Sequence, residues 1–278
     1  MQMDVKEMMK ITGKTAIITG GAGLLGIKHA EAIAEAGGIP IILDINELKI
    51  SEAVQLIRDK YGVECLGYNC DITKVEDLES CKNNILKKHK TIDILINNAA
   101  LDPKVSKDQP KQALNRLEDF DLNQWNLEIS VGLTGAFLCT QVFGVEMAKN
   151  KSGIIINVSS DLGIIAPDQR LYEQKDTNDS EQPVKPVTYS VIKHGLIGLT
   201  KYITTYWAKK GIRANTLCPA GVYNNQPDEF VNKISQLIPM NRMANADEYK
   251  AAIVFLASNA SSYMNGHTLV IDGGRSIL

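Results

Sequence analysis

Cysteine is scarce in this chain and follows no pattern. The five thiols, Cys65, Cys70, Cys81, Cys139 and Cys218, are odd in number and scattered, with no C-x-x-C pair and no nearby histidine to suggest a metal. They read as reduced, mostly buried thiols, so neither a disulfide framework nor a metal site is expected. An excess of one charge is also lacking, since 30 Lys and Arg stand against 32 Asp and Glu for a formal net charge of −2. No basic field exists to attract a phosphate backbone or an anionic bilayer, so neither nucleic acid nor a membrane is an expected partner. The N-terminal MQMDVKEMMK is charged throughout and lacks the apolar core of a signal peptide, and no apolar run approaches the ~18 residues of a membrane span. A cytoplasmic protein is expected, with Met1, Met3, Met8 and Met9 in a loosely ordered leader.

What the chain does have is enough apolar material for one large core, with 278 residues and 44% hydrophobic content. Short apolar runs recur at 15–19, 39–43, 63–68, 92–96, 153–158, 212–217 and 268–271. Between them lie stretches with apolar spacing of three and four, at 24–36, 47–60, 75–89, 123–150, 188–210 and 246–258. Strands nearly free of polar residues, alternating with helices, predict an α/β fold: one Rossmann-type domain over 1–278, with a doubly wound seven-stranded parallel sheet covered by helices on both faces. Two polar, proline-containing segments, 101–120 and 164–187, interrupt the pattern as long loops.

The first strand runs into Thr19-Gly20-Gly21-Ala22-Gly23-Leu24-Leu25-Gly26. Glycines let a backbone turn sharply and approach a pyrophosphate, whose charge is stabilised by amides at the following helix N-terminus. Gly21, Gly23 and Gly26 satisfy G-x-G-x-x-G with strand and helix on the required sides, so Gly20, Gly23, Leu24, Leu25 and Gly26 are candidate dinucleotide contacts. Asp44 ends the second strand, where a carboxylate can accept from an adenosine ribose and would repel a 2′-phosphate. NAD is therefore expected over NADP. The alternative for Asp44 is a helix cap, a role open equally to Asn46.

Tyr189 and Lys193 form Y-x-x-x-K on one helix face. Tyr206 and Lys210 repeat the spacing, so the pattern alone does not choose between them. Position does: Tyr189 begins its helix after the long loop that follows Ser159-Ser160, at the carboxyl ends of the strands where open α/β sheets bind ligands. An ammonium ~4 Å from a phenol favours the phenolate by roughly 4 kcal/mol at an effective dielectric of 20, up to about three pKa units. A tyrosine so placed can exchange the hydroxyl proton of a substrate as hydride leaves or arrives, while a serine hydroxyl orients the substrate oxygen.

With these residues in order, and with CDIT (70–73), NNAA (97–100), INVSS (156–160), YSVIK (189–193), IRANTLCPAGV (212–222) and IDGG (271–274) added, the chain resembles the short-chain dehydrogenase/reductase family over nearly its whole length. The resemblance implies Tyr189 as acid/base, Lys193 holding the nicotinamide ribose as well, and Ser160 orienting the substrate. It further implies Asp71 and Ile72 at the adenine, Asn98 and Ala99 along the cofactor, and Pro219 to Val222 at the nicotinamide. Homo-oligomers, dimers or tetramers, built through 123–150 and 188–210 are implied too. Departures are plain: Leu24 stands where the family's middle glycine would be, NNAG has become NNAA, and Pro219-Ala220-Gly221 replaces P-G. In VGLTGAF, Gly132 replaces the asparagine of the family's V-N-L-x-G, the residue thought to hold a helix kink and a water of the proton relay. An ordered water or another polar side chain is expected to fill that gap.

Ser160 and Tyr189 are separated by an insertion at about 164–187, expected to be a solvated flap beside the pocket; Arg170 or Lys185 within it could instead grip an anionic or highly hydroxylated substrate. The stretch SDLGIIAPDQRLYEQK is similar to a subgroup associated with bacterial surface-sugar biosynthesis, implying a sugar or sugar phosphate as substrate. Two other readings compete: a 3-oxoacyl-type reductase, and a silent NAD-binding scaffold or sensor suggested by Gly132 and the altered glycines. His29 and His194 read as packing or surface residues.

Overall fold

The computed structural model describes residues 4–101 and 115–278. Met1 and Met3, and most of the predicted 101–120 loop, lie outside the described residues. Seven strands, β1 (Thr15–Thr19), β2 (Ile39–Asp44), β3 (Leu66–Asn69), β4 (Ile94–Asn97), β5 (Gly153–Val158), β6 (Ile212–Pro219) and β7 (Thr268–Ile271), form one parallel sheet in the order β3-β2-β1-β4-β5-β6-β7. Chain order reverses between β1 and β4, which opens a crevice at their carboxyl ends.

Both faces of the sheet are apolar because successive side chains point to opposite sides. Ile18 and Ile42 pack under α2 (Leu24–Glu35), α3 (Glu47–Tyr61) and α9 (Lys250–Ala257). Their neighbours Ile17 and Ile41 pack on the other face with α4 (Val75–His89), α6 (Gly135–Lys149) and α7 (Val187–Trp207). Across the strands, a buried polar chain runs from Asn97 to Asn157 (2.8 Å), from Asn157 to Thr200 (2.8 Å) and from Thr216 to Thr200 (2.7 Å). It ties β4, β5 and β6 to α7 with its donors used, which fixes the register of α7 over the strand ends.

Four expectations need correction. The leader contains a short helix, α1 (Val5–Met9), capped by Asp4, with the Ser258 hydroxyl donating to Met9 Sδ at 3.9 Å. The weak run at 63–68 becomes a strand only from Leu66. The stretch 123–150 is three pieces, α5 (Leu122–Ile129), a π turn (Ser130–Thr134) and α6. A helix not expected from the sequence, α8 (Asp228–Ser235), packs with the 164–187 insertion through Leu171 and Ile234.

The composite helix Leu122–Lys149 is long and apolar enough on average to cross a membrane, although polar residues interrupt it and no unbroken apolar run in it approaches that length. Half of its apolar window is buried, and Cys139, Phe143 and Met147 lie in the sheet's core, so its apolar character is that of a core helix.

His29 sits in α2, fully buried, with no hydrogen-bond partner at either ring nitrogen among the described residues. Burial pushes its pKa down to about 4, a shift partly offset by the polar side chain of Asn98. The neutral ring belongs to the folded state, so its stabilising contribution is complete above the unfolded value near 6.5 and is lost as pH falls from there toward 4. The loss amounts to about 3 kcal/mol. Urea unfolding at pH 7.5 and pH 4.5 is expected to show most of it, and His29→Leu is expected to reduce the pH dependence by a similar amount; an unchanged dependence in the variant would rule this out.

Candidate active site

The glycine turn is held by its own packing. Gly20 has φ +59°, and a Cβ there would lie 2.9 Å from Ala99 Cα. A Cβ on Gly26 would stand 2.1 Å from the Gly20 carbonyl oxygen and 2.7 Å from Gly21 Cα, so the first turn of α2 lies flat on the loop. Gly23 is different, with only the Gly20 oxygen near, at 3.2 Å. It is the N-cap of α2 and offers no side chain to the first-turn amides. Those amides, on Leu24, Leu25 and Gly26, have no acceptor within the helix and carry the positive end of its dipole.

The residues expected at the cofactor lie at or just after the carboxyl ends of β2, β3, β4 and β6. Asp44 Oδ2 accepts from Ala22 N and Oδ1 from Asn46 N, both at 3.2 Å, while Asn46 caps α3 by accepting from Lys49 N at 3.0 Å. The cap is therefore Asn46, and the Asp44 carboxylate stays beside the glycine turn. Asn98 donates to the carbonyls of Thr19 (3.0 Å) and Gly20 (3.2 Å), and Ala99 N donates to Thr19 Oγ1 (3.1 Å), so β4's end braces the turn directly. Asp71 accepts from the hydroxyl and amide of Thr73, which hold its carboxyl below the usual range. Ile72 is buried, with its side chain against Gly135 of α6. Pro219 ends β6 at the same edge, and Val222 forms a bridge with Ala244. An uncapped helix start, a flat glycine surface and a carboxylate at the end of β2 together fit a dinucleotide.

Tyr189 opens α7, four residues before Lys193. Lys193 is 6% exposed, its Nζ donates to the Val158 carbonyl at 3.0 Å, and it lies 5.6 Å from the Tyr189 ring centroid. An ammonium has three donors, and the Val158 bond uses one of them. The competing pair is set aside by position: Tyr206 is 65% exposed and stacks on Tyr202 at 5.7 Å. Of the two serines, Ser159 donates to the Lys193 carbonyl at 2.7 Å and locks β5 to α7. Ser160 donates to Asp161 Oδ1 at 2.7 Å and accepts from Leu162 N at 3.2 Å.

Among the described residues, the space beside Gly132 is bordered most closely by an apolar side chain. The three atoms nearest to a Cβ built on Gly132 all belong to Ile192, the closest at 2.8 Å. Without a side chain at 132, the branched residue preceding Lys193 closes the space. The kink attributed to that asparagine persists as the π turn. One turn earlier, the buried carboxylate of Glu128 accepts from Gln124 and from the Thr188 hydroxyl, next to Tyr189. No sequence reading singled out Glu128, since a lone Glu in a helical pattern reads as a surface residue.

The insertion is anchored at several points. Leu171 is buried, Tyr172 meets Phe230 at 5.9 Å, and Arg116 donates to the Asp179 carbonyl at 2.6 Å. Arg170 forks onto Asp168, with contacts of 2.9 and 2.7 Å. Lys185 instead places its Nζ 3.9 Å from the centroid of Tyr189. Of the two cations considered for gripping substrate, Lys185 is the one beside the tyrosine.

Comparison with known proteins accords with this arrangement. Residues 14–172 match the short chain dehydrogenase family, and residues 179–276 match the enoyl-(acyl carrier protein) reductase family. The chain belongs to the short-chain dehydrogenase/reductase family. It is an oxidoreductase acting on CH–OH groups. It is 32% identical over 278 residues to the 2-dehydro-3-deoxy-D-gluconate 5-dehydrogenase of Bacillus subtilis, covering 96% of each chain. It is 31% identical over 271 residues to a 3-oxoacyl-[acyl-carrier-protein] reductase of Rickettsia conorii, covering 96% of this chain and 98% of that one. Its fold matches the crystal structure of a gluconate 5-dehydrogenase from Burkholderia cenocepacia in complex with NADP and tartrate, with TM-score 0.84, 27% identity, and coverage of 99% and 100%.

Proposed function

We propose that this short-chain dehydrogenase/reductase uses NAD(H) to interconvert a secondary alcohol and a ketone on an anionic or highly hydroxylated sugar, such as a sugar acid or sugar phosphate. The observation that carries the reading is the setting of Tyr189, with the Lys193 and Lys185 ammonium groups 5.6 and 3.9 Å from its ring at the edge where the glycine turn opens. A bound nicotinamide supplies or accepts the hydride. Gly20, Gly23, Leu24, Leu25 and Gly26 would hold its pyrophosphate, Asp44 the adenosine ribose, Asp71 and Ile72 the adenine side, and Asn98, Ala99, Pro219 and Val222 the remainder. Tyr189 takes or gives the hydroxyl proton, Lys193 favours the phenolate and reaches the nicotinamide ribose, and Ser160 orients the substrate oxygen. Lys185 suits an anion arriving over the tyrosine ring.

A role in surface-glycan biosynthesis rests on the likeness of the 160–175 stretch to that subgroup. The proposal extends to a cytoplasmic homo-oligomer, dimer or tetramer, through α5, α6 and α7, whose outer faces expose Phe137, Val145, Tyr202 and Tyr206.

The test is turnover on a panel of polyols, D-gluconate with its keto counterparts, sugar phosphates and acetoacetyl-CoA, with NAD and NADP in parallel. Anionic sugars are expected to give the highest kcat/KM, and NAD is expected to be preferred by at least about tenfold, the worth of one charge-assisted hydrogen bond. A preference for the acetoacetyl thioester would establish the acyl-reductase reading instead. NADH binding without turnover on any member would support the silent scaffold.

A further inference from the structure

The face of α7 that carries Tyr189 and Lys193 is held from two sides. At Lys193 the hold comes from β5: Lys193 Nζ donates to the Val158 carbonyl at 3.0 Å, and the Ser159 hydroxyl donates to the Lys193 carbonyl at 2.7 Å. At the start of the helix, Pro186 stands at the N-cap and gives the first turn no side-chain hydrogen bond. There the hold comes from α5. The Thr188 hydroxyl, one residue before Tyr189, donates to Glu128 Oε2, while Gln124 Nε2 donates to Glu128 Oε1. Glu128 is 1% exposed and Thr188 is fully buried.

The same two helices meet again one turn further on. Gly132 follows Glu128 by four residues and Ile192 follows Thr188 by four, and a Cβ on Gly132 would lie 2.8 Å from Ile192 Cγ2. That contact is apolar and leaves little room for a side chain at 132, so the polar link between the helices falls at 128. Packing alone does not explain a carboxylate there. Removing one from water is costly, and an aliphatic side chain would join α5 to α7 at lower cost. What the carboxylate does have beside it is the first turn of α7, the positive end of that helix and the place of the tyrosine.

We infer that Glu128 is a positioning residue for the proton transfer: through Thr188 it fixes the first turn of α7, and with it the hydroxyl of Tyr189, making the polar contact that position 132 lacks. The inference rests on Tyr189 as the acid/base of the proposed function. It adds a residue that acts on the reaction through the tyrosine. Loosening this turn carries the phenol away from the substrate oxygen and from Lys193, and leaves the glycine turn after β1 as it was. The loss therefore falls on the chemical step and not on cofactor binding.

The assay compares wild type, the double variant Glu128→Leu/Thr188→Val, and Glu128→Gln, on the panel sugar that wild type turns over. The double variant leaves neither a lone carboxylate nor a lone hydroxyl buried, and half-buried Gln124 can turn to water. Its melting temperature is expected to equal or exceed that of wild type. Its single-turnover rate of hydride transfer, followed by NADH absorbance, is expected to fall by at least about tenfold, with NADH affinity unchanged. Glu128→Gln keeps an acceptor for Thr188 and, with its amide turned, a donor for Gln124, so it is expected to restore most of the wild-type rate. Stability and rate thus move apart, which a purely structural link would not produce. An unchanged rate in the double variant, or a rate that falls together with the melting temperature, would overturn the inference. So would a Glu128→Gln rate as low as that of the double variant.

A second readout needs no turnover. In crystal structures of wild type and the double variant, Tyr189 Oη is expected to lie further from Lys193 Nζ once the link is removed, and an unmoved tyrosine would overturn the inference. Should wild type act on no member of the panel, or Tyr189→Phe keep the wild-type rate, the functional proposal fails alone, and the two crystals decide whether Glu128 sets the tyrosine.

Discussion

Tyr189→Phe is expected to lower kcat by at least about a hundredfold on whichever sugar is turned over, the lower end of what a positioned acid or base contributes. NADH affinity is expected to change little. The substitution keeps the ring that lies under Lys185 at 3.9 Å and beside Lys193 at 5.6 Å, so the packing at the start of α7 and both cation–π contacts remain. Only the O–H is lost. Without it, a substrate hydroxyl has no base as hydride departs, and a ketone has no acid as hydride arrives. Steady-state kinetics beside a fluorescence titration of NADH separates the chemical step from binding. Retention of wild-type kcat would remove Tyr189 from the chemistry and return the proton transfer to an unassigned group.

Gly26→Ala is expected to damage both fold and cofactor binding. In a free helix the change stabilises by about 0.5–1 kcal/mol through chain entropy. Here the added methyl would meet backbone, the Gly20 oxygen at 2.1 Å and Gly21 Cα at 2.7 Å, with no flexible side chain to swing aside. Overpacking of this kind costs about 1–3 kcal/mol and outweighs the helix gain. The relief available is to lift the glycine turn off α2, which removes the flat surface on which a pyrophosphate would lie. NADH affinity is expected to fall by more than about tenfold, since displacement of a positioning group by an ångström is enough for such losses. Gly23→Ala is the comparison, because its nearest contact is a single oxygen at 3.2 Å, and its melting temperature is expected to fall less than that of Gly26→Ala. A Gly26→Ala protein that melts and binds NADH as wild type does would show that the turn is not held by this contact.

The sheet was legible before any coordinates. TAIIT and GIIINV lie on the observed β1 and β5, because a parallel strand buried on both faces has little need of polar residues, and TLVI lies on the half-buried edge strand β7. The glycine turn was legible for the same local reason: strand, turn and helix follow one another within a dozen residues. The short elements α1 and α8 escaped, being too brief at 5 and 8 residues to show a period. The choice between Tyr189 and Tyr206 was ambiguous in spacing and was made in the sequence by position after the loop that follows Ser159-Ser160; the exposure of Tyr206 agrees with it.

By itself, the amino-acid sequence determined the fold class, the place of the glycine turn and the candidate acid/base, since each is written in residues that meet along a single element or across one turn. Tertiary structure alone decided that Ile192 closes the space at Gly132, that Glu128 reaches Thr188 across 60 residues, and that Arg275 reaches Asp161 across 114. Such contacts join elements brought together by sheet order and helix register, and side chains that far apart in the chain leave no local period to read.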